Sequence, residues 1–561
     1  MNATVAAIPP IWTTGTTEAI RTGTWRAALP RHVQAPSPCH RACPVGGDIA
    51  EWIGLARERD FRGAWEALTR HNPFPAIAGR ICHHPCESAC NRAGVDEPVS
   101  ICKLERFVGD VAIARDWSFA APAIERDERV AVVGGGPSGL SAAFQLRRLG
   151  YRVTLVEARG ELGGLMRHGI PSYRLARDVL DAEIARIVAM GVDVRVNERP
   201  SAAEGWAALR AGHDAVYLAT GAQKPKRLPA LDYGKAWVAD GAAWLAAANA
   251  GAAPALGRRL VVIGGGSAAL DVARSARRAG HDVTIVALED RARMPAQREE
   301  VDEALEEGIA LVDGAMLVRA HEGRSEVRLD CTRVRFAPGA RRGQFTVTPV
   351  EGGMFALAAD AIVTSIGQDP DLDALGSVPS DGALVAVDAN QSTGALGTWA
   401  GGDVASMARF VTDAIGQGKR AAFSIDAALR AKRGERRAVV PHTERPRTTP
   451  RDAPVPLEAI ATHYHAALAR ATSRRRDAAT RLASGDEVQV GLEIEQALAE
   501  STRCYSCGTC IHCDNCVVVC PDLAVERVDG GYRVLGDYCK GCGLCVKECP
   551  TGSMDMVEEA R

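Results

Sequence analysis

The chain has no dominant charge. Its 561 residues carry 67 Lys and Arg against 69 Asp and Glu, a formal net charge of −2. Such a balance leaves no basic face for nucleic acid and no strongly charged tail. Long apolar runs are missing too. The nearest, the alanine-rich stretch 241–257, is interrupted by Asn249 and Pro254, and it falls short of the ~20 apolar residues a membrane helix needs. The opening MNATVAAIPP has no charged segment leading into an apolar core, so no secretory leader is expected. The middle of the chain is almost empty of cysteine: between Cys102 and Cys504 only Cys331 occurs. That excludes a reactive C-x-x-C pair there. These absences lead to the expectation of a cytoplasmic protein with no nucleic-acid partner and no membrane span.

What is present is globular in kind, with 47% hydrophobic and 24% charged residues, and the length suggests three or four domains. The 17 cysteines crowd towards the two ends. In a protein that is not exported, such arrays mean metal or redox chemistry rather than a disulfide framework.

The stretch 129–157, RVAVVGGGPSGLSAAFQLRRLGYRVTLVE, reads as strand, glycine turn, helix, strand. Gly134 makes the tight turn. Gly136, with Pro137 and Ser138 opening the helix, lets backbone N–H groups approach a pyrophosphate, and Gly139 lets helix and strand pack closely. Glu157, at the end of the second strand, is placed to accept hydrogen bonds from a ribose. Gly163, Gly164 and Leu165 follow, then HGIPSYR at 168–174. Two adjacent glycines let backbone approach a flat ring. Thr220 and Gly221 end a further strand, 215–218. The pattern then repeats at an offset of 130 residues: Gly264, Gly266, Ser267, Ala268 and Ala269 follow the strand 260–263, and a helix and the strand 283–286 come next. Glu289 and Arg291 stand past that strand. Two dinucleotide folds imply two nucleotides, and a flavin with a nicotinamide is the natural pair. A late segment, 361–367 ending in Gly367, then WAGGD with Gly402 and Asp403, then a helix 409–429, is expected to close the first fold.

The cysteine arrays are the other signal. Cys39-x3-Cys43 is followed by Cys82-x3-Cys86-x3-Cys90 and by Cys102. Thiolates at this spacing suit an iron–sulfur cluster, with structural zinc or buried free thiols as the alternatives. His83 and His84 lie within the array and are read as structural. The tail carries Cys510-x2-Cys513-x2-Cys516-x3-Cys520-Pro and Cys539-x2-Cys542-x2-Cys545-x3-Cys549-Pro. These are two complete ferredoxin runs, in which the fourth Cys of each run ligates the other cluster. VERV and YRVL flank Asp529-Gly530-Gly531, a hairpin signal. Cys504 and Cys507 precede the runs.

Residues 39–432 resemble the small subunit of glutamate synthase and the electron-input half of dihydropyrimidine dehydrogenase. The resemblance lies in the 39–102 cysteine array, NPFPAIAGRICHHPC, GGGPSGL, GGLMRHGIPSYRL, ATGA, GGGSAALD, MPA (294–296), SIGQ and AGGDV. Residues 504–561 resemble a bacterial two-cluster ferredoxin. The resemblance implies FAD on the first fold, NADPH or NADH on the second, and electrons passed through clusters to a partner. It also implies one cluster on Cys43, Cys82, Cys86 and Cys102. A companion cluster in dihydropyrimidine dehydrogenase uses places matching Cys39 and Cys90 plus an early C-x2-C, which this chain lacks. Cys504 and Cys507 look like that pair moved to the far end. The expectation is four [4Fe–4S] clusters, or three if Cys39, Cys90, Cys504 and Cys507 are spare thiols. The resemblance also brings paired arginines before MPA for an NADP 2′-phosphate. Leu288 and Glu289 stand there instead, so NAD(H) is expected over NADP(H).

The expected architecture is α/β, with a nicotinamide domain inserted in an FAD domain, flanked by a helical iron–sulfur domain and an α+β ferredoxin-like domain. The expected boundaries are an arm at 1–38, the helical iron–sulfur domain at 39–128, the first stretch of the FAD domain at 129–235, the nicotinamide domain at 236–360, the returning stretch of the FAD domain at 361–432, a linker and helical segment at 433–500, and the ferredoxin domain at 501–561. The arm's TGTWR (22–26) resembles the start of the small ferredoxin-like subunit of 2-oxoacid:ferredoxin oxidoreductases. The expected function is an NAD(P)H:acceptor oxidoreductase subunit serving such an enzyme or another low-potential partner. Its rivals are a thioredoxin-reductase-like enzyme, a glutamate synthase small subunit, and a non-catalytic wiring or redox-sensing subunit.

Overall fold

The computed structural model describes residue 23 and residues 26–559, apart from 201, 325, 341–342, 376–377, 436–448 and 451. Two five-stranded parallel sheets form its centre. The first runs in the order Thr398–Ala400, Ala215–Leu218, Arg129–Val133, Arg152–Val156, Asp193–Arg195. The second runs Ala310–Val312, Asp282–Val286, Arg259–Ile263, Ala361–Thr364, Val238–Asp240. The central strands are short β-branched runs buried on both faces, as parallel sheets demand: Val130, Val132, Val262 and Val363 are all sealed from solvent. The helices Pro137–Arg148 and Ser267–Arg278 cross over directly after the two glycine turns.

The strand Ala361–Thr364 corrects the expected boundary at 361. It belongs to the second sheet, where Ile362 pairs with Val261 on one side and Val238 on the other. It is the counterpart of Ala215–Leu218 in the first sheet. Each of these strands ends against its own glycine turn. A Cβ at Gly134 would collide with the Ala219 carbonyl, and one at Gly264 with the Ser365 carbonyl. The chain returns to the first fold only after Gly367. An antiparallel meander, Ala315–Glu322, Val327–Pro338 and Phe345–Ala359, covers the second sheet and buries Leu317, Leu329 and Cys331 against Val261 and Ile362. Cys331 thus sits in an apolar core, away from every cysteine array.

Residues 38–114 form short helices around Trp52, Trp65, Leu68, Leu104 and Val108. Most of the arm, including Thr22, Thr24 and Trp25 of TGTWR, lies outside the described residues. Its inner portion is not irregular: Ala28–Gln34 is a strand antiparallel to Met554–Glu558. The N-terminal strand thereby pairs an otherwise open edge of the cysteine-rich tail. In that tail, Val525–Val528 and Gly531–Val534 make the expected hairpin around Asp529-Gly530.

The stretch 456–493 differs from the helical expectation. Ala478–Ala483 is its one α-helix, with two 3-10 turns, and the rest is an extended strap, while Ile494–Thr502 is helical as expected. Its polar side chains bind other regions of the molecule instead of stacking along a helix. Arg481 pairs with Glu307 at 3.3 Å, Glu487 accepts from Arg80 at 2.6 Å and from Arg106 at 2.8 Å, and Gln489 donates to Glu303 at 2.7 Å. Arg475 shares this behaviour, pairing with Glu306 at 2.6 Å.

Candidate functional site

A cavity of about 570 Å³ opens where the two dinucleotide folds face each other. Its wall contains Gly134, Gly136, Pro137, Ser138, Glu157, Gly164, Leu165, Thr220, Gly221, Gly402 and Asp403 from the first fold, and Ser267, Ala268 and Gly367 from the second. Gly136 has an extended backbone (φ −81, ψ −175), and a Cβ there would meet only Gly164, at 3.8 Å. This turn keeps clear the space that a pyrophosphate fills, at the N-terminus of a helix. Gly134 has a different task. It turns at φ 111, hard against Ala219, so it serves the turn rather than the ligand space. Gly139 lies behind, packed on the Gly134 carbonyl, and Gly163 donates to the Gly135 carbonyl at 2.8 Å.

Glu157 accepts from the N–H groups of Gly135 at 2.7 Å and Arg159 at 2.9 Å. Glu289 has the equivalent place in the second fold. Its carboxylate lies 2.6 Å from where a Gly265 Cβ would be, and the Glu157 carboxylate 3.1 Å from the corresponding point at Gly135. Counting along the chain puts Ala287 opposite Glu157, but the longer turn delivers Glu289. Burial pushes the Glu289 carboxyl up. Arg291 is drawn to Asp302 at 2.6 Å and Arg293 to Asp290 at 3.5 Å. Gly264, Gly266, Glu289 and Arg291 stand outside the wall of the shared cavity.

Several further wall residues stand outside the expected cofactor-binding set. Asp271 is raised to about 6, by burial first, and its Oδ1 is buried with no hydrogen-bond partner among the described residues. His168 is lowered to about 4 by burial and then by Arg159 and Arg167, so its ring is neutral near pH 7. Gln297, directly after the MPA motif, and Phe410 and Val411, at the start of the helix Val411–Lys432, complete the side nearest the iron–sulfur domain.

Behind that side the cysteines assemble. Cys82, at the end of the helix Pro75–Ile81, lies in electrostatic reach of Cys43, and Cys86 in reach of Cys82, Cys43 and Cys102. Burial, and then these neighbours, pushes Cys86 well above the ordinary thiol range. In the tail, Cys516 is surrounded by Cys549, Cys510 and Cys513, and Cys545 by Cys539, Cys520 and Cys542. This is the crossed arrangement expected. A further group unites the two ends of the chain: Cys39, Cys90, Cys504 and Cys507 line one small pocket with Ser37 and Tyr505. Burial raises Cys504 to about 11 and Cys507 to about 12.

One backbone device recurs. The N–H two residues after the cysteine points at its sulfur at 3.4 Å for Cys82, Cys504, Cys510 and Cys539. The donor residues, His84, Ser506, His512 and Gly541, all turn through positive φ. The turn at Cys504 thus matches the turns that open both ferredoxin runs. Among the described residues, no three His, Cys, Asp or Glu close on one point as a single metal ion requires. A cluster spreads its ligands around a cube of iron and sulfide. All-thiolate quartets, whose members are buried or half-buried except the exposed Cys513 and Cys542, fit that group.

Comparisons with known proteins agree with this organisation. Residues 128–418 match the family described as pyridine nucleotide-disulphide oxidoreductase. Residues 31–117 match dihydropyrimidine dehydrogenase domain II, 4Fe-4S cluster, and residues 509–553 the 4Fe-4S dicluster domain. The NADP(+)-dependent formate dehydrogenase subunit beta of Moorella thermoacetica is 36% identical over 426 residues, 70% of this chain and 60% of that one. The NADPH-Fe(3+) oxidoreductase subunit beta of Geobacter sulfurreducens is 34% identical over 349 residues, 60% of this chain and 51% of that one. The NAD-dependent dihydropyrimidine dehydrogenase subunit PreT of Salmonella typhimurium is 31% identical over 392 residues, 69% of this chain and 90% of that one. The chain thus spans between half and three fifths of the first two relatives.

Proposed function

The chain belongs to the pyridine nucleotide-disulphide oxidoreductase family, in an electron-transfer form that carries 4Fe-4S domains, and on that premise we propose an NADH-oxidising subunit that feeds single electrons to a protein partner. The observation that carries this reading is the position of Ile81 and Gln297. They line the cavity between the two folds, and Gln297 Nε2 donates to the Cys82 carbonyl at 3.2 Å, so a cysteine quartet lies directly behind the cavity wall.

When bound, a nicotinamide would supply hydride chemistry, FAD would release the proton and pass the electron pair on singly, and clusters would carry single electrons. The protein's role is to position these groups. Gly136, Pro137 and Ser138 offer backbone and helix N-terminus to the FAD pyrophosphate, Glu157 its carboxylate to the ribose, and Gly164, Leu165, Gly402 and Asp403 the walls around the rest. Gly266, Ser267 and Ala268 do the same for the nicotinamide nucleotide. Among the described residues no helix is long and apolar enough to cross a membrane. The exposed Cys513 and Cys542 suit the reducing cytoplasm.

NADH is the preferred donor. Glu289 repels a 2′-phosphate and holds a ribose hydroxyl, while Arg291 and Arg293 are engaged with acids. The curated relatives carry both NADP and NAD in their names. Comparison of kcat/KM for NADH and NADPH tests the preference, and a higher value with NADPH overturns it.

Four clusters are bound: on Cys43, Cys82, Cys86 and Cys102; on Cys39, Cys90, Cys504 and Cys507; on Cys510, Cys513, Cys516 and Cys549; and on Cys539, Cys542, Cys545 and Cys520. The second of these staples the two ends of one protomer and bridges the N-terminal cluster to the tail. An iron content of about 16 per chain is expected. A value of about 12, unchanged in Cys504→Ser with Cys507→Ser, removes the bridging cluster. The partner is a 2-oxoacid oxidoreductase or another low-potential enzyme. Co-purification of the native complex, with bleaching of flavin absorbance by NADH, tests the whole.

A further inference from the structure

Two short segments both line the cavity and reach the first cysteine quartet. Ile81 lines the cavity and Cys82 follows it. Phe410 and Val411 line the cavity and Thr412 follows them. The segments meet at Thr412, whose Oγ1 lies 3.7 Å from Cys82 Sγ. Thr412 is 3% exposed and Cys82 8%, so water does not compete for either atom. His83 Nδ1 lies 3.5 Å from the same hydroxyl, and the His83 ring stacks on Phe410 with centroids 3.8 Å apart and planes 15° apart. The hydroxyl is therefore held between the sulfur and the ring.

We propose that Thr412 is a positioning residue that sets the electron equilibrium between the flavin cavity and the first cluster, by donating a hydrogen bond to the Cys82 thiolate. This rests on the reading of that quartet as a cluster site. A free Cys82 thiol is itself a donor to Thr412. A thiolate bound to iron has no proton, so the bond reverses and Thr412 Oγ1–H donates to Cys82 Sγ. When the cluster gains one electron, its net charge becomes one unit more negative, and some of that charge lies on its sulfurs. A hydroxyl proton aimed at one of them favours the reduced form, and hydrogen bonding to cluster sulfur is a recognised control of potential. The buried surroundings strengthen the effect. Among the four quartets, this is the one against the cavity wall, so its potential decides how readily electrons leave the flavin for the rest of the chain.

The test is a potentiometric titration of the full chain followed by electron paramagnetic resonance, with flavin and iron contents measured first. Thr412→Val keeps the shape and removes the hydroxyl. The first cluster should then hold its electron less well, by roughly tenfold in the one-electron equilibrium, about 59 mV lower. Thr412→Ser should restore the wild-type potential, which a merely structural role of the methyl group would not allow. Equal potentials in wild type and Thr412→Val, at equal flavin and iron, overturn the inference and leave the cluster assignment intact. If Thr412→Val assembles less iron, Thr412→Ala carries the same comparison. Loss of iron from both, with retention in Thr412→Ser, also supports the hydroxyl, and parity of Thr412→Ala with wild type overturns it. A chain that retains its full iron after replacement of Cys82 and Cys86 by Ser has no cluster there, and both readings fall.

Discussion

The two dinucleotide folds share one chain pattern at a fixed offset, yet a buried acid beside each is held in the opposite state of charge. Where the first meets the iron–sulfur domain, Lys419 donates to the Val45 carbonyl at 2.8 Å and Arg148 to the Arg70 carbonyl at 2.8 Å, and a buried acid stands beside them. Glu183, fully buried, accepts from the N–H groups of Ala76 and Ile77 at 3.0 Å each, and caps the helix that ends at Cys82. Burial pushes it up to about 8, so it is neutral at pH 7. The second fold is held by the strap through an ionic cluster. Glu307 is equally buried, and burial alone would raise it, but Arg274 and Arg278 more than reverse that and leave it low. Arg481 of the strap adds a third cation. Of the two buried acids, Glu183 is thus held neutral on the helix Arg177–Val188 and Glu307 is held charged. The fold itself does not determine how it is docked.

The largest effect should come from filling the two phosphate turns. Gly136→Val should leave the fold intact, since its backbone is extended, and abolish bound FAD. Gly266→Val, where a Cβ would meet nothing within 4 Å, should leave FAD bound and abolish its reduction by NADH. Absorbance spectra before and after NADH decide; normal flavin in the first variant breaks the assignment of the folds. Gly134→Val is a poorer test, because its side chain strikes the Ala219 carbonyl and damages the turn itself.

Next in size is the acid at each strand end. Glu157→Gln should weaken FAD retention without changing nucleotide choice. Glu289→Gln should lower kcat/KM for NADH by about tenfold, ~1.4 kcal/mol, and narrow the gap to NADPH. An unchanged NADH/NADPH ratio in Glu289→Gln would mean that the turn places its acid away from the ribose.

The smallest effect, and the one that sharpens the contrast most, is in pH. Glu183 rises from 4.5 to about 8 on folding, so the folded state binds the extra proton. Its stabilisation is present below pH 4.5 and is lost as pH rises towards 8. Glu307 is lowered, so its contribution is present above the unfolded value and is lost as pH falls through the acid range. Hydrogen exchange between pH 5 and 8 should show the iron–sulfur junction loosening with rising pH in wild type and a flatter profile in Glu183→Gln. The contact between Arg481 and Glu307 should loosen as pH falls through the acid range. Parallel pH profiles at the two junctions would show the contrast to be wrong.

Much of this was legible in sequence because it is local. The glycine turns, the crossing helices and the ferredoxin runs place every decisive residue within about 30 positions of its neighbours, and periodicity and spacing report such distances directly. The strap at 456–493 was misread for the opposite reason. Its apolar and polar residues answer to Glu303, Glu306, Arg80 and Arg106, which stand far away in sequence. Strand 361–364 went to the wrong sheet because an apolar four-residue run fits either one.

The sequence by itself determined that two nucleotides and thiolate clusters belong to this chain, since a phosphate turn or a cysteine run needs only its own backbone to exist. Tertiary structure decided which distant groups meet: Cys39 and Cys90 with Cys504 and Cys507, Glu289 with Gly265, Thr412 with Cys82. Those meetings depend on which surfaces are buried against which. That balance of desolvation and packing is summed over the whole molecule, and no local window contains it.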